Sequence, residues 1–96
     1  MTELSELSEK DFARTLTRSQ RQRLISGVIE SGEDIAALRR FVGLTQVRFA
    51  DALGISVHTL RNWEQGRRKP DGPAIALLRI AARHPKLIRE NLAGAA

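Results

Sequence analysis

At 96 residues with a net charge of +5 and no cysteine, the chain is sized for one small domain, and disulfides, thiolate metal sites and thiol catalysis are excluded. No apolar run approaches the roughly 20 residues needed to cross a bilayer, and the acidic, polar start is unlike a signal peptide, so a cytoplasmic location with no membrane role is expected. The sequence pI of about 11.0 exceeds the value of about 9 that marks a candidate nucleic-acid binder. Charge is uneven: residues 1–11 hold Glu3, Glu6, Glu9 and Asp11 against Lys10, and the basic excess lies beyond them. Charge alone fits DNA, RNA or an acidic protein equally well.

No strand alternation of useful length occurs, so an all-α chain is expected. It divides into an N-terminal helical arm, residues 1–32, and a helical domain, residues 33–96. In the arm, Ser8 with Asp11 and Thr17 with Gln20 read as helix-start pairs. Phe12, Leu16, Leu24 and Val28 share a four-residue rhythm broken by Gln20, which predicts helix in one or two pieces. Arg14, Arg18, Arg21 and Arg23 make the stretch strongly cationic. Two readings stand: a solvated helix face, or an arm that orders on a partner.

In the domain, Ser31 with Asp34 is a third capping pair, and Ile35, Leu38 and Val42 form one apolar helix face. Gly43 is placed to end that helix in the left-handed region. Thr45 caps the next helix, whose Phe49, Ala50 and Leu53 point inward, and Gly54 turns the chain. Ser56 caps a third helix that buries Leu60 and Trp63 and stops at Gly66. Pro70, Gly72 and Pro73 make a loop, with Pro73 suited to the first turn of a helix over 74–83. That helix has a wide apolar face of Ile75, Leu77, Leu78, Ile80, Ala81 and Ala82. Pro85 opens a last short helix with Leu87, Ile88 and Leu92.

Residues 45–69 carry the chemistry. Two short helices meet at a small residue, Ala50, and turn at a residue tolerant of positive φ, Gly54. Both have inward anchors in Phe49, Leu53, Ile55, Leu60 and Trp63. Helical geometry then leaves Val57, His58, Arg61, Asn62 and Gln65 on the outside of the second helix, as a major-groove reading helix requires. Arg61 suits guanine O6 and N7, and Asn62 suits adenine N6 and N7. His58 donates or accepts according to tautomer, and Val57 suits a thymine methyl. Thr45, Gln46, Arg48, Ser56, Thr59, Arg67, Arg68 and Lys69 form the expected phosphate set, with Gln46 beside a helix N-terminus that favours an anion. Glu64 would repel phosphate and is expected to pair with Arg39. Trp63 is read as core. Leu87, Ile88 and Leu92, with part of the preceding helix, are expected to make a two-fold contact.

Gln46, Ala50, Gly54-Ile55, Leu60, Trp63-Glu64 and Gly66 resemble the Xre/Cro family of helix-turn-helix regulators. The runs LRRFVGLTQVRFADALGIS and TLRNWEQGRRKPDGPAIALLRIAARHPKLI are similar, more narrowly, to HigA-type antitoxins. The resemblance implies a lambda-repressor-like, five-helix helix-turn-helix domain and a homodimer on a palindromic double-stranded DNA operator. It also implies repression of the chain's own operon and a RelE-like toxin as second partner. No paired His/carboxylate constellation, phosphate-cradling loop or metal-ligand spacing argues for an enzyme or a bound cofactor.

Overall fold

A computed structural model describes residues 16–91, and the described residues form six helices and no strand. The helices are α1 (Arg18–Ile25), α2 (Gly32–Val42), α3 (Gln46–Leu53), α4 (Val57–Glu64), α5 (Gly72–Arg83) and α6 (Pro85–Glu90). This is an all-α architecture, with α2 to α6 as the five helices expected of the domain and α1 before them.

Local chemistry sets most of the helix limits. Thr17 and Gln20 close a reciprocal capping box on α1, which satisfies two orphan N–H groups at once. Thr45 accepts from the Arg48 N–H, Ser56 from that of Thr59, and Asp71 from that of Ala74. Gly43 and Gly54 end α2 and α3 at φ of 91° and 74°, a region other residues enter only with strain.

One core joins all the helices. Phe49, Leu24, Ile35, Leu38, Leu60, Leu78 and Val42 are the largest wholly buried side chains, each contributing about 1.5–3 kcal/mol by leaving water. Leu16 and Leu24 belong to the same cluster. The later portion of the expected N-terminal arm is therefore packed onto the helical body, chiefly against α5 and also against α2.

Several expectations are corrected. Ser31 sits at the N-cap of α2, but its side chain makes no capping bond. The Asp34 carboxylate instead takes a two-pronged contact from Arg23, at 2.6 and 3.1 Å, and accepts the Glu30 N–H at 2.8 Å. Val28 does not continue the apolar rhythm of Leu16 and Leu24. α1 stops at Ile25, Gly27 follows at φ 87°, and Val28 is 49% exposed. On α5, Ile80 is 40% exposed while Ala74, Leu78, Ala81 and Ala82 are buried. Ile88, expected at a two-fold contact, is buried in the chain's own core, and Leu87 beside it is exposed. The pair Ser8–Asp11, Phe12, Arg14 and Leu92 lie outside the described residues.

Two arginines of α1, Arg21 and Arg23, are tied to the helical body, while Arg18 is exposed. Arg21 donates from Nε to the Ala82 carbonyl at 2.7 Å, and its guanidinium lies 5.0 Å over the Phe41 ring. Arg79 of α5 returns the contact to the Ile25 carbonyl at 2.9 Å, and Arg89 of α6 reaches Val42 O at 2.8 Å. Each places a cation or a donor at a helix C-terminus, where carbonyls lack partners and the helix dipole is negative.

Candidate nucleic-acid interface

α3 and α4 are held at an angle by Phe49, Ala50, Leu53, Leu60 and Trp63, all buried. With Leu60 and Trp63 turned inward, α4 presents His58, Arg61 and Gln65 as exposed residues and Asn62 as a half-buried one. The Asn62 amide and His58 Nε2 lie 3.3 Å apart, one helical turn along the same face. Val57 is the least free of the expected base-reading residues. It is half-buried and packs against the core, so only part of its surface remains for a thymine methyl.

α4 is fixed on two sides. α3 packs along it, and the first turn of α2 abuts its end so closely that a Cβ on Gly32 would lie 2.3 Å from the Glu64 carbonyl oxygen and 2.5 Å from that of Trp63. The N–H end of α2 thus meets the carbonyl end of α4, a favourable opposition of helix dipoles. The Arg39–Glu64 pair, expected from the sequence, adds a second grip at 2.8 Å, with both side chains largely buried. Neutralising Glu64 matters for the surface. It leaves Arg61, Arg67, Arg68 and Lys69 as the charges facing outward around the end of α4.

Those cations follow a defined turn. The Gly66 N–H donates to Trp63 O and the Arg67 N–H to Asn62 O, with Gly66 at φ 76°. This wraps the basic run back beside the reading helix. Arg48 is exposed near the start of α3, and Thr45 there keeps its hydroxyl hydrogen free because it only accepts in its cap. Ser56 caps α4 and spends its own hydroxyl hydrogen on Thr59 Oγ1 at 3.0 Å, which leaves the Thr59 hydrogen available. Gln46 is engaged at both ends of its amide: Nε2 donates to Glu64 at 2.9 Å, and Oε1 accepts from Arg61 Nε at 3.2 Å. One Nε2 hydrogen remains for a phosphate.

Two features escaped the sequence reading. Gly32 was read only as the end of the N-terminal arm, yet it lies in the first turn of α2 with no room for a Cβ against the end of α4. The Gln46 link between Glu64 and Arg61 has no sequence signal, since it joins residues 18 and 15 positions apart.

A capped pair of helices with a buried seam, a polar reading face and a basic rim is a helix-turn-helix module of the kind that binds duplex DNA. The chain belongs to the MqsA antitoxin family, whose profile, described as the antitoxin component of a bacterial toxin-antitoxin system, matches residues 3–91. It is 40% identical to antitoxin HigA-2 of Vibrio cholerae over 58 residues, which is 60% of this chain and 56% of that protein. It is 29% identical over 90 residues to the uncharacterized helix-turn-helix-type transcriptional regulator YiaG of Escherichia coli K12, covering 94% of this chain and 86% of YiaG. Antitoxin MqsA of the same strain is 33% identical over 58 residues, or 60% of this chain and 44% of MqsA. The chain thus spans little more than half of HigA-2 and under half of MqsA. No solved structure gives a significant match. No described helix is long and apolar enough to cross a membrane.

Proposed function

We propose that the protein is a DNA-binding antitoxin that acts as a homodimer, represses its own operon and neutralises a RelE-like toxin. The observation that carries the DNA half is the inward turn of Leu60 and Trp63, both buried, which points His58, Arg61 and Asn62 away from the core. Arg61 and Asn62 read bases, with His58 and the open part of Val57 beside them. Thr45, Gln46, Arg48, Ser56, Thr59 and the run Arg67 to Lys69 hold the backbone.

Gel-shift titration against the DNA upstream of the gene tests this. Arg61→Ala should weaken operator binding by about 1–3 kcal/mol, roughly 5- to 150-fold, while leaving binding to unrelated duplex nearly unchanged. Arg67→Ala should weaken all sequences alike and lower the salt slope by about one. Equal operator affinity for Arg61→Ala and wild type would refute the docking.

Dimerisation is assigned to α5 and α6. Leu77, Ile80 and Leu87 line an apolar groove of ≈ 320 Å³ together with Ile88, and Ile80 and Leu87 are 40% and 55% exposed. A small domain leaves few such side chains in water without a partner. Leu87→Asp should shift light scattering to the monomer mass and weaken operator binding, because two half-sites need two linked reading helices. A dimer of unchanged strength would remove this face from the interface.

The antitoxin half rests on the family and on the names of the relatives. Toxin capture is assigned to the N-terminal arm. Because Leu16 and Leu24 are built into the core, a clean test removes residues 1–15 alone. Co-expression with a toxic product of the adjacent reading frame should restore growth with the full chain and not with the truncation. The extended likeness to YiaG favours a second reading, a repressor without a toxin, and a harmless neighbouring product would select it.

A further inference from the structure

The outward path from the core to Arg61 is a continuous chain of hydrogen bonds. Arg39 is anchored by its Nη1 on the Leu44 carbonyl at 3.2 Å and by its Nε on Glu64 Oε2 at 2.8 Å. Glu64, 8% exposed at its side chain, uses Oε1 to accept from Gln46 Nε2 at 2.9 Å, and Gln46 Oε1 accepts from Arg61 Nε at 3.2 Å. The order of the amide is forced. A carboxylate only accepts and a guanidinium only donates, so Gln46 must turn its nitrogen to Glu64 and its oxygen to Arg61. The ion pair beneath holds Glu64 in place and so fixes the position of the amide.

We infer that Gln46 is a positioning residue for base reading, presenting Arg61 in one orientation before DNA arrives; this rests on the assignment of Arg61 to a base. With Nε committed to Gln46, Arg61 keeps its two terminal nitrogens for an end-on fork. That fork matches the paired acceptors O6 and N7 of guanine in the major groove. An exposed arginine otherwise samples many rotamers and loses that freedom on binding, at a cost equivalent to roughly two- to tenfold in affinity. The relay removes part of this cost in advance, and only for the base that Arg61 meets. Gln46 therefore couples the α2–α4 ion pair to sequence choice, in addition to any contact its remaining hydrogen makes to phosphate.

The test is a selection by the full chain from duplexes with randomised half-sites, comparing wild type, Arg61→Ala, Gln46→Met and the double variant. Methionine keeps the length of the side chain and removes both hydrogen bonds, and circular dichroism melting reports whether the fold is kept. Arg61→Ala should erase a guanine preference at one position per half-site. Gln46→Met should reduce the preference at that same position about three- to tenfold, with the preferences at other positions as in wild type. Adding it to Arg61→Ala should change nothing more there. Full guanine preference in Gln46→Met overturns the proposal, as does an equal loss of affinity on all sequences in gel-shift titration with the guanine preference kept, which would make Gln46 a phosphate ligand only. If Arg61→Ala alters no position, the docking itself fails and this inference falls with it.

Discussion

Gly32→Ala should destabilise the fold by about 3 kcal/mol, the upper end of the range for overpacking, and lower the melting temperature by roughly 12–24 °C. The added methyl would sit 2.3 and 2.5 Å from two backbone carbonyl oxygens of α4. A flexible side chain could swing aside, but these atoms belong to the end of the reading helix. Relief requires α2 and α4 to separate, which also loosens the Arg39–Glu64 pair. Operator affinity should therefore fall more steeply than global stability explains, even at temperatures where the variant is folded. A melting temperature within a few degrees of wild type would show that the helices part at little cost.

Asp34→Ala should cost about 3 kcal/mol at neutral pH, the low end for breaking a buried ion pair. The low end applies because Arg23, whose side chain is 22% exposed, keeps a route to water, while Asp34 is 5% exposed. The Glu30 N–H also loses its acceptor. The hydrogen bonds from Arg23 hold the Asp34 carboxyl below its ordinary range against an opposing desolvation, with the backbone N–H groups of Glu30 and Ser31 and the charge of Arg23 adding to the effect. A depressed carboxyl pKa adds stability that is present above the unfolded value of about 3.9 and is lost as pH falls through the folded value. The gap between wild type and Asp34→Ala, measured by urea denaturation, should thus be constant from pH 5 to 7 and narrow below about pH 4. A gap that stays constant down to pH 2 would mean the carboxylate is not what the site selects.

These two positions also show how far the sequence could be read. Asp34 carries a capping signature with Ser31, and that signature placed the start of α2 correctly. The Ser31 hydroxyl cap did not form, however, and the carboxylate also holds Arg23, 11 residues earlier, a partner that no local signature announces. Gly32 was read as the end of the arm, and nothing in its neighbours announced a carbonyl of α4 beside it.

The chain by itself determined the order and approximate limits of the five helices after residue 31, the capping box that opens α1, the buried seam of α3 and α4, and the sides of α4 taken by Leu60, Trp63, His58 and Arg61. It also supplied the Arg39–Glu64 pair, since an acid on a helix expected to face phosphate needs a nearby cation. Caps, glycine turns and apolar periodicity act over three to seven residues, so they are written in consecutive sequence. Only the tertiary structure decided that Ile88 is core and Leu87 surface, that α1 joins the body, and that Arg21 reaches a carbonyl 61 positions away. It likewise decided that Gln46 stands between Glu64 and Arg61. Those contacts depend on how helices cross, and a crossing is fixed by the sum of many buried side chains, which no short run of residues encodes.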